Sequence, residues 1–185
     1  MGIIAVTIIF LCICVDNMVS ANMSAMKMKP ENKNVFSIKV ALFFTAFNAL
    51  LFGFGYLLST LFFNDFIYLA QNWVAFAFVL LLGIKFMLES IEKSPSFTDL
   101  DTENNRKLVK VSALIGMNAF LVGFALDTMQ KGWFPQILIL MAISFGFTLL
   151  GFHLGSKNTQ MITSKRFEFI AGLILVIMAI RLIII

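Results

Sequence analysis

The stretch IIAVTIIFLCICVDNMVSANMSA, residues 3–25, decides how the rest of the chain is read. It is apolar over more than the about 20 residues that a membrane-crossing helix needs, and it carries a single acid, Asp16, near its centre. The apolar residues run on continuously instead of alternating. In hydrocarbon every backbone N–H and C=O must be bonded within its own segment, so such a run is a helix, whereas a barrel strand would alternate. A secretory leader would start with positive charge and have a shorter apolar core. This stretch has neither, so it is expected to stay on the protein, together with Asp16.

Five further runs of the same kind follow, from about Phe36 to Phe63, Phe66 to Ile91, Leu108 to Met129, Trp133 to Gly155, and Phe167 to the end. The composition agrees: 60% of the 185 residues are apolar and 13% are charged, against about 25% charged in an ordinary soluble domain. Mean hydropathy is +0.94. A chain of 20.8 kDa has too much surface to hide that much hydrocarbon in one aqueous core. A soluble enzyme, a nucleic-acid module and a disordered tail are all disfavoured. The expected fold is all-α: a polytopic membrane protein with six transmembrane helices in contact with the lipid bilayer.

The net charge of +4 comes from where the lysines lie. Lys27, Lys29, Lys33 and Lys39 flank the first connection. Lys85, Lys93, Arg106, Lys107 and Lys110 flank the third, and Lys157, Lys165 and Arg166 the fifth. These three connections share one side of the membrane and hold twelve of the 14 basic residues. Positive charge stays inside, which places them in the cytoplasm and both termini outside. Tyr56, Tyr68, Trp73 and Trp133 fall near span ends, where amphipathic rings belong.

The polar stretch EKSPSFTDLDTENNRK, residues 92–107, divides the chain into three spans (1–91) and three spans (108–185). Its Asp99, Asp101 and Glu103 lack the glycine and spacing of a calcium loop and read as a solvated linker. The halves share weak features: VDNMVSANMS at 15–24 lines up with MNAFLVGFAL at 117–126, placing Asp16 opposite Asn118, and GFGYLLS at 53–59 with GFHLGS at 151–156. An odd number of spans per half makes the expected repeats inverted, and inverted repeats of secondary transporters hold their sites near the midplane.

Asp16 is the acid that lies well inside an expected span. A carboxylate there costs at least ~2.5 kcal/mol on insertion scales and usually marks an ion or proton path. Cys12, Asp16 and Ser20 share one helical face. Asn48 and Asn118 stand near the middle of the second and fourth spans. Amide and hydroxyl oxygens are hard ligands, so Asp16, Asn48, Asn118 and Ser20, with the Thr45 hydroxyl as a further oxygen, form a candidate site for Mg²⁺, Ca²⁺ or Mn²⁺. The same amides also serve as interhelical hydrogen-bond glue. Cys12 and Cys14 read as small packing residues, and His153 as packing or a local hydrogen bond. Lys85 and Glu89, spaced i,i+4, read as a snorkelling ion pair near the inner end of the third span, where a gating role is the alternative. Gly151 and Gly155 form a GxxxG pair that lets helices approach closely.

These segments resemble the MntP-type manganese efflux pumps of bacteria, within the LysE-like transporter group. The carriers are VDNMVSA at 15–21, KVALFFTAFN at 39–48 leading to GFGYLLS, WVAFAFVLLLGIKFMLE at 73–89, MNAFLVGFAL, TLLGFHLG at 148–155, and KRFEFIAGLILVIMAIRL at 165–182. The resemblance implies a multi-pass protein of the bacterial inner membrane that exports a divalent metal cation, Mn²⁺ foremost, as substrate. It implies no cofactor and no nucleic-acid partner. Asp16 matches the acid of the family's first span. Asn118 stands where the family's fourth span has an Asp, and Asn48 where its second span usually has an acid, so lower metal affinity and altered coupling are expected. Two other readings are a non-transporting membrane scaffold and an exporter of a small organic solute. The chain carries no HExxH or supported nucleophile set, and an enzyme is not expected.

Overall fold

A computed structural model describes residues 3–27, 33–62, 68–91, 105–126, 133–156 and 161–184, all of them helical. The helices are α1 (Ile3–Lys27), α2 (Lys33–Phe62), α3 (Tyr68–Ile91), α4 (Asn105–Leu126), α5 (Trp133–Ser156) and α6 (Met161–Ile184). At 1.5 Å per residue each is about 33 Å long or more, enough for the roughly 30 Å of a bilayer's hydrocarbon. Pro135 sits in the first turn of α5, where its missing N–H has no intrahelical partner to lose.

Among the described residues, five helices are long and apolar enough to cross a membrane; the qualifying stretches lie in α1 to α5. The sixth has the length but carries Lys165, Arg166, Glu168 and Arg181 among its described residues. The sequence reading shifts at two places. Residues 105–107, counted with the linker, form the first turn of α4, whereas Asp127–Met129, counted with the fourth span, lie outside the described residues, as do Asp99, Asp101 and Glu103. The last helix starts at Met161 instead of Phe167, so Glu168 lies two turns into it and is half-buried. Asp16 is therefore not the sole acid inside the bundle.

The principal packing pairs are α2 with α4, α1 with α5, and α3 with α6, followed by α2 with α5, α1 with α6, and α3 with α4. Exchanging α1–α3 for α4–α6 in order returns this same set. Bare backbone makes several crossings close. A Cβ on Gly123 would run into the Phe52 carbonyl, and one on Gly55 into the Phe120 carbonyl, which fixes α2 against α4. Gly151 and Gly155 do the same for α5 against Met18 and Asn22 of α1. Gly83 and Gly172 face each other: a Cβ on Gly172 would stand 2.7 Å from the Gly83 carbonyl oxygen, and one on Gly83 would stand 3.0 Å from that of Gly172.

Burial singles out two helices. The spanning window of α1 is 78% buried and that of α4 is 50%, against 39% for α2 and 28% for α3 and α5. The remaining apolar exposure, such as Leu50, Leu81 and Leu138, suits lipid. Two apolar cores hold the bundle together. One gathers Ile9, Phe10 and Ile13 with Phe52, Val122 and Leu140. The other gathers Ala21, Ala25, Phe44, Ile115 and Phe152. Edge-on rings stitch each: Phe10 against Phe52 at 5.4 Å and Phe36 against Phe152 at 6.1 Å. Between these cores lies a belt of buried polar side chains: Asp16, Asn17 and Ser20 of α1, Thr45 and Asn48 of α2, Asn118 of α4, Ser144 and Thr148 of α5.

Candidate ion site in the middle of the bundle

Asp16 is 3% exposed, so its carboxylate has given up water and must be compensated from within. Asn118 supplies one compensation: its Nδ2 donates to Asp16 Oδ2 at 2.9 Å. The amide is oriented in turn by Lys85, whose Nζ donates to Asn118 Oδ1 at 2.9 Å. Lys85 also faces Glu89, one turn on, at 3.6 Å. The result is a chain of acid, amide, ammonium and acid across α1, α4 and α3. A hydrogen bond involving a charged group contributes about 1.5–3 kcal/mol, so the Asn118 bond is comparable to the ~2.5 kcal/mol or more of placing a carboxylate at this depth, and Lys85 holds the amide in place for it.

Glu168 of α6 lies within electrostatic reach of the same group. Lys85 and Glu89 act on Asp16, and Asp16, Glu89, Lys85 and Lys165 all act on Glu168. Counted along the helices, Glu89 lies nearest the end where α3 stops and α6 starts. Lys85 and Glu168 come next, and Asp16 and Asn118 lie deepest. Charged groups thus form a descending series from one end of the bundle to its middle. A slot of about 410 Å³ at that end is lined by Ser90, Lys165, Arg166, Phe169 and Ile170.

The other candidates go elsewhere. Asn48 Nδ2 donates to Ser144 Oγ at 3.0 Å, and Asn17 Nδ2 donates to the same oxygen at 2.8 Å. Consecutive helix residues project 100° apart, so α1 presents Asp16 towards α4 and Asn17 towards α5. Ser20 is buried one turn beyond Asp16, and its carbonyl accepts a bond from Ser24 Oγ at 2.8 Å. The structure thus joins Asp16 to Asn118 and places Asn48 in a second polar group on the far side of α1. Among the described residues, no three His, Cys, Asp or Glu side chains converge to hold a metal ion. A cation at Asp16 would complete its shell with amide, hydroxyl or backbone oxygen.

Sequence reasoning missed three participants. Lys85 had the signature of a snorkelling lysine, and nothing in its own helix reveals that it turns inward to α4. Asn17 was overshadowed by its neighbour Asp16. Ser144 is a single hydroxyl in an apolar run; the nearby Thr148, whose Oγ1 bonds back to the Ser144 carbonyl at 2.8 Å, was the available hint of a polar face.

Long apolar helices around a buried, charge-bearing middle define a polytopic α-helical membrane protein. Residues 29–183 match the family described as "Putative manganese efflux pump". Among the relatives are several that carry the name "Putative manganese efflux pump MntP". That from Acetivibrio thermocellus is 30% identical over 134 residues, covering 72% of this chain and 67% of the relative. That from Crocosphaera subtropica is 27% identical over 151 residues, covering 80% and 78%. That from Gloeothece citriformis is 23% identical over 146 residues, covering 79% and 76%. The chain belongs to this family of membrane efflux pumps. No solved structure matches it.

Proposed function

We propose that the protein exports a divalent metal cation, Mn²⁺ foremost, from the bacterial cytoplasm across the inner membrane, as the names of its relatives suggest. The observation that carries the reading is the Asp16 carboxylate, buried mid-bundle and held by an amide that is itself held by an ammonium. Buried ionisable groups at this depth are retained for ions or protons. The six helices act as two inverted three-helix repeats, α1–α3 and α4–α6. The packing pairs that survive exchange of the halves support this, as does the position of Asp16 and Asn118 on the two most enclosed helices. With the basic connections in the cytoplasm, the series Glu89, Lys85, Glu168 leads inward from that side.

The cation displaces the Lys85 ammonium from Asn118. Freed, the amide turns its Oδ1 towards the metal beside Asp16, and Ser20 and Asn48 add oxygen as the helices shift. Asp16 supplies one negative charge at the metal, and Glu89 and Glu168 add theirs along the way in from the cytoplasmic end. Rocking of the two halves then opens the site to the outside.

The test is Asp16→Asn expressed in a manganese-sensitive host. The expected result is loss of resistance with unchanged protein in the membrane, together with intracellular Mn rising above wild type while Fe, Co, Zn, Mg and Ca stay level. Full resistance in that variant refutes the proposal, and a metal content indifferent to the protein points to a scaffold or an organic solute.

A further inference from the structure

The second polar group, at the junction of α1, α2 and α5, has its own chemistry. Asn17 and Ser144 are fully buried, as is Thr148; Asn48 is 4% and Thr45 7% exposed. Two amides donate to the one Ser144 oxygen, which fills both of its lone pairs. That leaves oxygen over. Among the described residues no donor reaches Asn17 Oδ1, and Thr45 Oγ1 has no partner. Thr45 lies three residues before Asn48, on the same face of α2. Thr148 spends its proton on the Ser144 carbonyl and keeps a lone pair. Native interiors leave few polar atoms unsatisfied, and each asks for a reason.

We propose that this junction is a second cation site and that it takes a monovalent alkali ion. The donors are all neutral hard oxygens, with no thiolate or imidazole among them, which selects a hard cation. A divalent ion holds its hydration shell too tightly for neutral ligands alone, whereas an alkali ion is accommodated by carbonyl and hydroxyl oxygens, as in the filters of potassium channels. The group contains no titratable side chain, so it is not a proton site. Asp16 is the next residue to Asn17. Its charge favours a cation in the junction and repels an anion, while its own oxygen is engaged by Asn118. The oxygens of the junction are its own, whatever Asp16 carries. Filling it places a positive charge beside Asp16, and occupancy therefore weakens any cation bound there, both through repulsion and by keeping Asn48 on Ser144.

The experiment uses the purified full chain in nanodiscs, with ²²Na⁺ as the probe in a scintillation-proximity assay without divalent metal. Wild type is expected to bind ²²Na⁺ saturably, displaced by NaCl and not by choline chloride. Thr45→Val, which keeps the side-chain shape, and Ser144→Ala are expected to weaken binding at least tenfold while the circular dichroism spectrum stays helical. Asp16→Asn is expected to weaken it less than either. Absence of saturable binding in wild type overturns the proposal and leaves water or interhelical bonding as the role of these oxygens. Unchanged binding in Thr45→Val and Ser144→Ala, or loss of binding in Asp16→Asn alone, places the ion elsewhere and also overturns it. Since no divalent metal enters the assay, failure here leaves the manganese reading untouched.

Discussion

Replacing Lys85 by Met probes the buried charge chain at its most informative point. Methionine keeps the length and apolar stem but loses the ammonium. In the wild type that ammonium donates to Asn118 Oδ1 at 2.9 Å and faces Glu89 at 3.6 Å, with 37% of its side chain exposed. The exposure puts the Glu89 pairing among surface-like pairs, worth under about 1 kcal/mol. The bond to Asn118 is charge-assisted but only partly buried, so it sits near the lower end of the usual range, about 1.5 kcal/mol. If an incoming metal must break that bond, its removal lowers the metal's Kd by roughly tenfold. Isothermal titration of Mn²⁺ into the purified protein measures this, with Lys85→Arg as the control that retains the charge. Export from proteoliposomes should slow in the same variant, because a cation held tenfold more tightly leaves more slowly. A folded Lys85→Met protein whose Mn²⁺ affinity is unchanged or weaker refutes the idea that the ammonium competes with cargo.

Further outcomes follow from the packing and the polar belt. Gly123→Ala places a methyl against the Phe52 carbonyl and should cost about 1–3 kcal/mol as overpacking. Gly146→Ala meets nothing within 4 Å and should be neutral or stabilise by up to about 1 kcal/mol; thermal unfolding in nanodiscs separates the two, and equal effects would contradict the crossing geometry. Thr45→Val removes a buried hydroxyl with no partner among the described residues and should raise stability by about 1 kcal/mol in choline chloride, a gain that shrinks in NaCl; a lower melting point in both salts would show that the hydroxyl already has a structural bond. Asn118→Asp adds a second carboxylate beside Asp16 and should tighten divalent binding by roughly tenfold or more, since ligand charge sets affinity at oxygen sites; titration showing weaker binding would mean that Lys85 neutralises the new acid instead.

The architecture was legible because a bilayer leaves so few choices. Six apolar runs separated by basic or polar connections admit helices and little else, and helices stand where the runs predicted, within a few residues at most ends. The start of α6 was placed late because Lys165 and Arg166 interrupt its apolar run just before Phe167. A helix can extend beyond hydrocarbon into the polar interface, and apolarity alone does not show where it begins. Asp16 and Asn118 were legible as partners through the faint match between the halves, and a hydrogen bond joins them. The division of the belt into two groups was not. It depends on the rotation of α1 about its own axis, which sends Asp16 to one neighbour and Asn17 to another. A one-dimensional string holds residue identities but not which neighbouring helix each face meets.

The contact between Gly83 and Gly172 constrains how the molecule can deform. Where two rods touch through bare main chain, a slip of one residue along either axis brings a full side chain into a gap that admits only hydrogen. Sliding is therefore blocked, whereas tilting about the contact is not. The α3–α6 crossing is therefore stiff against translation and softer against a change of angle, a restriction it shares with the other crossings that pass over a bare glycine.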